Sequence, residues 1–229
     1  STTGFSSSGT LQINSEIFTY TGVTSTTFTG VTRATSSTSA AAHVVNDVVS
    51  ESWTERDTGR SSAARYNFER FNFDGNDKLV VVDGDNAPTF FNSSLSATDI
   101  TSAGSGEVST AVTGAKFVAA FRDHMFYAGM ASTPQELVFS VPFDEDNFAT
   151  GSGGGSIKVD NTITGLKVFR NDLFIFCESR IFKLSGSSLS DFVITPVTRN
   201  IGCIEPFGST IQEFAGDLIF LGPDGLRTV

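Results

Sequence analysis

Cations are scarce in this chain. Fifteen Lys and Arg stand against 25 Asp and Glu, giving a net charge of −10 over 229 residues. Proteins that grip nucleic acid through its phosphates gain affinity from clustered cations, so the balance argues against that class. A protein that duplex DNA merely passes is not excluded, because an acidic wall repels phosphates and lets a duplex slide without specific binding. Histidine is rarer still, with only His43 and His124. His124 falls in a hairpin turn and reads as a solvated turn residue. No His/Cys cluster has metal-ligand spacing, and no GxSxG nucleophile elbow occurs. Catalytic, cofactor-binding and metal-ligating residues are therefore assigned to none. Two cysteines, Cys177 and Cys203, cannot form a disulfide framework; Cys177 lies inside an apolar run and reads as a buried, reduced thiol. No apolar stretch approaches the roughly 18 residues needed to cross a membrane, and no signal-peptide pattern is visible. Trp and Tyr are few: of the aromatics, 22 are Phe, 3 Tyr and 1 Trp. That bias favours core filling over wet recognition and weakens a lectin reading.

Helix signals are also sparse. The strongest is Ala40 to Val49, where Ala41, Val44, Val45 and Val48 fall near helical spacing, although β-branched valines oppose it. Elsewhere short Val, Ile, Thr and Phe runs alternate with Gly, Asn, Asp and Ser, which is strand-and-turn grammar. The expected class is all-β. The first 40 residues hold 21 Ser or Thr, yet GTLQINSEIFTYTG predicts strands at Leu11 to Ile13 and Ile17 to Tyr20 around an Asn14-Ser15 turn. TGVT occurs at Thr21 to Thr24 and again at Thr29 to Thr32, which predicts a second hairpin. Residues 1–50 thus read as a small Ser/Thr-rich β module, followed by a second domain over 51–229. Trp53 beside that boundary reads as packing.

Something repeats in the second domain. Phe121-Arg122-Asp123-His124-Met125-Phe126 is matched by Phe169-Arg170-Asn171-Asp172-Leu173-Phe174 and by Phe214-Ala215-Gly216-Asp217-Leu218-Ile219. A looser copy begins at Phe73, where Asp74-Gly75-Asn76-Asp77 reads as a turn with two extra residues. The kernel phenylalanines are spaced 48, 48 and 45 residues apart. Each kernel means an apolar strand ending at Phe, a tight turn, and a second apolar strand. A further turn and a third strand follow, as at Glu178-Ser179-Arg180 and Ile181 to Leu184. Four meander units (near 66–110, 111–160, 161–205 and 206–229) at this period match β-propeller blades. The expected architecture is an incomplete propeller-like array, with a Greek-key sandwich or a β-solenoid as alternatives. The last unit stops soon after its second turn and the chain opens on Ser, so a fragment of a longer polypeptide is expected.

Other conspicuous stretches have bland readings. Gly151 to Ser156, GSGGGS, precedes a strand and lacks a following Lys-Ser/Thr, so it is a flexible loop and not a phosphate cradle. Asp74 to Asp77 and Asp83-Gly84-Asp85-Asn86 are oxygen-rich enough for calcium, but they also read as ordinary turns, and neither has a remote Glu in register. Asp144-Glu145-Asp146 reads as a solvated turn.

The run from about Ala115 to Val229 resembles a known family. Phe143-Asp144-Glu145-Asp146-Asn147-Phe148, Gly155 to Val159, Ile163 to Leu166, Val168 to Phe176, Arg180 to Gly186, Asn200 to Cys203 and Asp217 to Leu226 follow one another as in the propeller region of tail nozzle (tail tubular) and DNA-stabilising tail-hub proteins of tailed bacteriophages. Gly9 to Ile13 through Thr29 to Arg33 is similar to a β module of cyanophage and other marine-phage structural proteins. The resemblance covers about half the chain. It implies a non-enzymatic virion component in the tail, assembled with itself as a closed ring (a hexamer being one candidate). Adaptor, portal or fibre proteins would be its neighbours and the genome would pass through it. Nozzle proteins are several times longer, which again points to a fragment or a distinct smaller tail protein. A propeller-type receptor- or glycan-binding tail module is the alternative. A propeller glycosidase ranks last, because no feature nominates a facing carboxylate pair.

Overall fold

A computed structural model describes residues 1–52, 56–73, 75–100, 112–205 and 210–229, and divides the chain into two compact units, Ser1–Glu55 and Arg56–Val229. Both are built from strands. Trp53 and Asp74, singled out above, lie outside the described residues.

In the first unit, β1 (Gly9–Ile13) and β2 (Glu16–Tyr20) form a hairpin, and β5 (Val49–Glu51) pairs with the free edge of β1. Asn14, at φ 54°, supplies the left-handed turn that Asn tolerates better than most residues. The second hairpin joins β3 (Gly22–Val23) to β4 (Phe28–Thr29). Leu11, Phe18 and Tyr20 form a small core, with Phe5 and Phe28 packed against it.

Ala40 to Val49 is not a helix. Val44, Val45 and Val48 are exposed, and the segment runs as an irregular loop into β5. The reason is a buried carboxylate. Glu16 accepts bonds from Arg33 Nε (2.9 Å) and Nη2 (2.7 Å), from the backbone N–H groups of Ala34 (3.2 Å) and Ala41 (2.8 Å), and from His43 Nε2 (2.8 Å). Asp47 in turn accepts from the N–H of Val44 and from Asn14 Nδ2. These donors hold the loop in a shape incompatible with a helical ladder, and weak valine propensity offers nothing to oppose them.

Among the described residues the second unit contains four meander sheets. They are β6 (Asn67–Phe73), β7 (Asn76–Val82), β8 (Thr89–Phe91), β9 (Ala97–Asp99); β10 (Phe117–Phe121), β11 (His124–Ala128), β12 (Glu136–Phe139), β13 (Gly155–Lys158); β14 (Ile163–Phe169), β15 (Asp172–Cys177), β16 (Ile181–Ser185), β17 (Val193–Thr198); and β18 (Gln212–Phe214), β19 (Asp217–Gly222), β20 (Gly225–Thr228). Within each sheet every strand pairs antiparallel with the next in sequence. Pro196, which cannot donate to a ladder, sits in β17 at the edge of its sheet.

The four kernels pair their flanking strands in the same register. Phe73 pairs with Asn76, Phe121 with His124, Phe169 with Asp172 and Phe214 with Asp217. Both central residues have positive φ in the last three turns: Arg122 and Asp123, Arg170 and Asn171, Ala215 and Gly216. That is the twist-matched two-residue hairpin. The first copy has no extra residues in its turn, contrary to the sequence reading; Asn76 and Asp77 already belong to β7. GSGGGS is also not simply a loop. Thr150–Ser152 forms a 3-10 turn and Gly155-Ser156 opens β13.

Successive sheets stack face to face. One apolar core lies between the first and second sheets, a second between the second and third, and a third between the third and fourth. The first strands of all four sheets line a single cavity of about 300 Å³. That radial convergence makes the unit a propeller-like array and excludes a sandwich.

Leu173 is fully buried between the second and third sheets. Leu173→Ala is expected to lower the stability of the second unit by about 2–5 kcal/mol, read as a fall in the urea midpoint with little change in slope.

Candidate functional site

The axial cavity is where the inner strands bring chemistry-bearing side chains together. Asn67 and Glu69 enter its wall from β6, Lys167 from β14 and Gln212 from β18. Strand alternation explains the placement, since Glu69 lies on the same face of β6 as Phe71 and Phe73, the face turned toward the second sheet. Burial pushes the Glu69 carboxyl upward. The Ala120 N–H, which donates to Oε1 at 3.2 Å, and the charge of Lys167 oppose the shift without cancelling it. The wall therefore offers one carboxyl, one ammonium and two amides. Sequence reasoning missed Glu69 and Lys167, since nothing local marks an axial position.

A second cleft of about 240 Å³ is lined by Asp83, Gly84, Asp85, Lys116, Phe117 and Glu205, among others. Lys116 and Glu205 form an ion pair. Burial tends to raise Asp83, but Asn86 Nδ2, the N–H groups of Asn86 and Asp85, and the charge of Arg60 outweigh it and hold the carboxyl below its usual range. Three donors lie within 3.0 Å of its oxygens. Asp83 thus closes the turn between β7 and β8 with its own side chain.

His124 is not solvated. It opens β11 at 1% exposure, ringed by Phe126, Phe139 and Phe192. Its Nδ1 lies 2.5 Å from the Ser140 carbonyl oxygen. A carbonyl only accepts, so Nδ1 carries the proton and the buried Nε2 is left without a partner. The turn itself is Arg122-Asp123, with His124 already in the strand, and Phe192, just before β17, covers the ring.

The acidic run is likewise only partly solvent-facing. Glu145 is buried and paired with Lys78 from the first sheet, and its carbonyl oxygen accepts from Tyr127 Oη at 3.2 Å. Asp146 is half-buried beside Asp144, and Asn147 Nδ2 donates to Asp144 at 3.1 Å. Burial, a hydrogen bond and repulsion from Asp144, and the charge of Glu145 raise Asp146 from 3.8 to about 6, with Lys78 pulling the other way.

Cys177 and Cys203 are buried and unlinked, although the Cys203 N–H donates to the Cys177 carbonyl at 2.9 Å. Burial pushes Cys177 up to about 12, with Asp160 adding to the shift, and Cys203 to about 11. A thiol held protonated is a poor nucleophile and metal ligand. Among the described residues, no three His, Cys, Asp or Glu side chains are grouped so as to hold a metal ion. No described helix is long and apolar enough to cross a membrane.

Two outcomes follow for experiment. Neither thiol should react with a disulfide reagent at pH 8 in the native chain, and both should react at once in denaturant; fast native labelling would contradict the buried assignment. Between about pH 4 and about pH 6 the folded chain holds the Asp146 proton more tightly than the unfolded chain, so this group lowers stability as pH rises through that window. Thermal melts across the window should show Asp146→Asn losing that decline and melting above the parent at pH 7.

No family model matches the chain, and no curated protein matches it. Seventeen chains of solved structures do. One is the extracellular domain of a one-component system protein from B. thetaiotaomicron, at 13% identity and a TM-score of 0.44, covering 96% of this chain and 31% of that one. The chain therefore spans about a third of that structure's length, and a likeness at this level says nothing of what the chain does.

Proposed function

We propose that this chain is a structural protein of a bacteriophage tail, part of a ring-forming nozzle or hub that conducts the genome and retains it before ejection. The observation carrying this reading is the ordered motif succession from Phe143 to Leu226. Its segments fall on strands in chain order: Gly155 to Val159 on β13, Val168 to Phe176 across β14 and β15, Arg180 to Gly186 on β16, and Asp217 to Leu226 across β19 and β20. Two further features support it. The net charge of −10 suits a conduit to which DNA must not adhere. Side chains that could carry covalent chemistry serve packing instead: both thiols are held protonated and His124 is enclosed by phenylalanines.

Immunogold labelling of intact particles of the encoding phage tests the proposal. Label is expected at the tail, below the portal, and the purified chain should not retard duplex DNA at physiological salt. Label confined to fibre tips would replace this reading with the receptor-binding one. Particles without the chain would end both.

A further inference from the structure

The side chains of the axial cavity depart from what the repeat needs for packing. Two residues before the kernel phenylalanine, the first and second sheets place Phe71 and Ala119, both buried. The third and fourth sheets place Lys167 and Gln212 there, and both line the cavity. Four residues before the kernel phenylalanine, the second sheet has the buried Phe117, whereas the first has Glu69. A half-buried carboxyl and a half-buried ammonium in place of apolar groups lose hydration and add nothing to the inter-sheet cores. The fold alone gives no reason for them.

The wall around these groups is also short of partners. β6, β10, β14 and β18 each pair on one side only, so the N–H and C=O groups of their other edges have no strand to bond. One of these donors, the Ala120 N–H, is answered by Glu69 Oε1. Glu69 and Lys167 feel each other's charge without being joined in an ion pair, and among the described residues Lys167 forms none elsewhere. Burial raises the Glu69 carboxyl in spite of Lys167, which leaves the carboxylate wanting a nearer cation. Asn67 lies on the same face of β6 as Glu69, two residues away. Gln212 is exposed, so a solute reaches the wall from the side of β18. At about 300 Å³ the cavity stands at the low end of ligand-sized cavities.

We propose that the axial cavity binds a small zwitterion, an amino acid whose ammonium sits at Glu69 and whose carboxylate sits at Lys167, with the Asn67 and Gln212 amides and the open strand edges completing its hydrogen bonds. A ligand carrying one charge would leave the opposite wall group desolvated and unpaired, and an uncharged ligand would leave both so. A zwitterion answers both groups with charge-assisted hydrogen bonds. The inference uses inner-strand positions of the second unit alone, so it stands or falls separately from the virion reading.

The test is titration calorimetry of the purified chain with glycine, β-alanine and 4-aminobutyrate, which hold the two charges at increasing separation. At least one of them should bind saturably, one per chain, with Kd below about 1 mM. The matched single-charge compounds (acetate and methylamine, propionate and ethylamine, butyrate and propylamine) should bind at least about tenfold more weakly, as for a lost hydrogen bond to a charged group. Glu69→Gln keeps an acceptor for the Ala120 N–H and Lys167→Met keeps the apolar stem, so thermal melts should match the parent while affinity falls at least about tenfold in each. The ligand series on the parent chain decides the matter whatever either variant does to folding. Failure of all three zwitterions to bind saturably at about 10 mM, equal binding of the single-charge compounds, or unchanged affinity in either variant would overturn the proposal.

Discussion

The second unit depends on one recurring burial: a phenylalanine at the end of the first strand in each of the first three sheets, covered by the sheet that follows. Fully burying such a side chain contributes about 1.5–3 kcal/mol, and the tight turn beside it fixes where the ring points. Arg122 and Arg170 reinforce the arrangement. Each lies over the ring of its own kernel phenylalanine and donates through Nη2 to a backbone carbonyl in the next kernel turn, Asn171 and Gly216 respectively. The kernel thus shapes a hairpin and joins two sheets at once. For that reason a short motif recurring at nearly constant spacing builds a stack of sheets around an axis and not four separate hairpins.

The first unit rests on a different kind of interaction. Its apolar core is small, and a carboxylate organises it. Glu16 lies on the same face of β2 as Phe18 and Tyr20, and its Arg33 partner and His43 both lie against the Phe18 ring. The Arg33 bonds, against the opposing pull of burial, hold Glu16 far below the ordinary carboxylate range. A buried charge is tolerable when its lone pairs are all answered, and here the answering groups come from a loop of otherwise weak structure. The Ser/Thr-rich composition is compatible with a fold because this network substitutes for missing hydrophobic bulk.

Polar and reactive groups in the second unit follow the same economy. Asp83 ties a turn, Glu145 joins the first sheet to the second through Lys78, and the thiols lie in the inter-sheet cores. What remains open among the described residues is the axial cavity with Glu69 and Lys167 in its wall.

The repeat, the all-β class and the strand pairs around each kernel were legible in the residues, because hairpins are local and their turn chemistry is explicit in sequence. So was the burial of Cys177, since an apolar run around a thiol predicts it. Exposure of polar residues was not legible. His124 and Asp144 to Asp146 look solvated in one dimension and become covered when Phe192 and Lys78 arrive from neighbouring sheets. Ala40 to Val49 shows a helical pattern that Glu16, more than 20 residues away, overrides with hydrogen bonds. Local sequence determined which strands pair and how they turn; only the stacking of sheets decided which side chains lose water, because desolvation is set by neighbours brought from far along the chain.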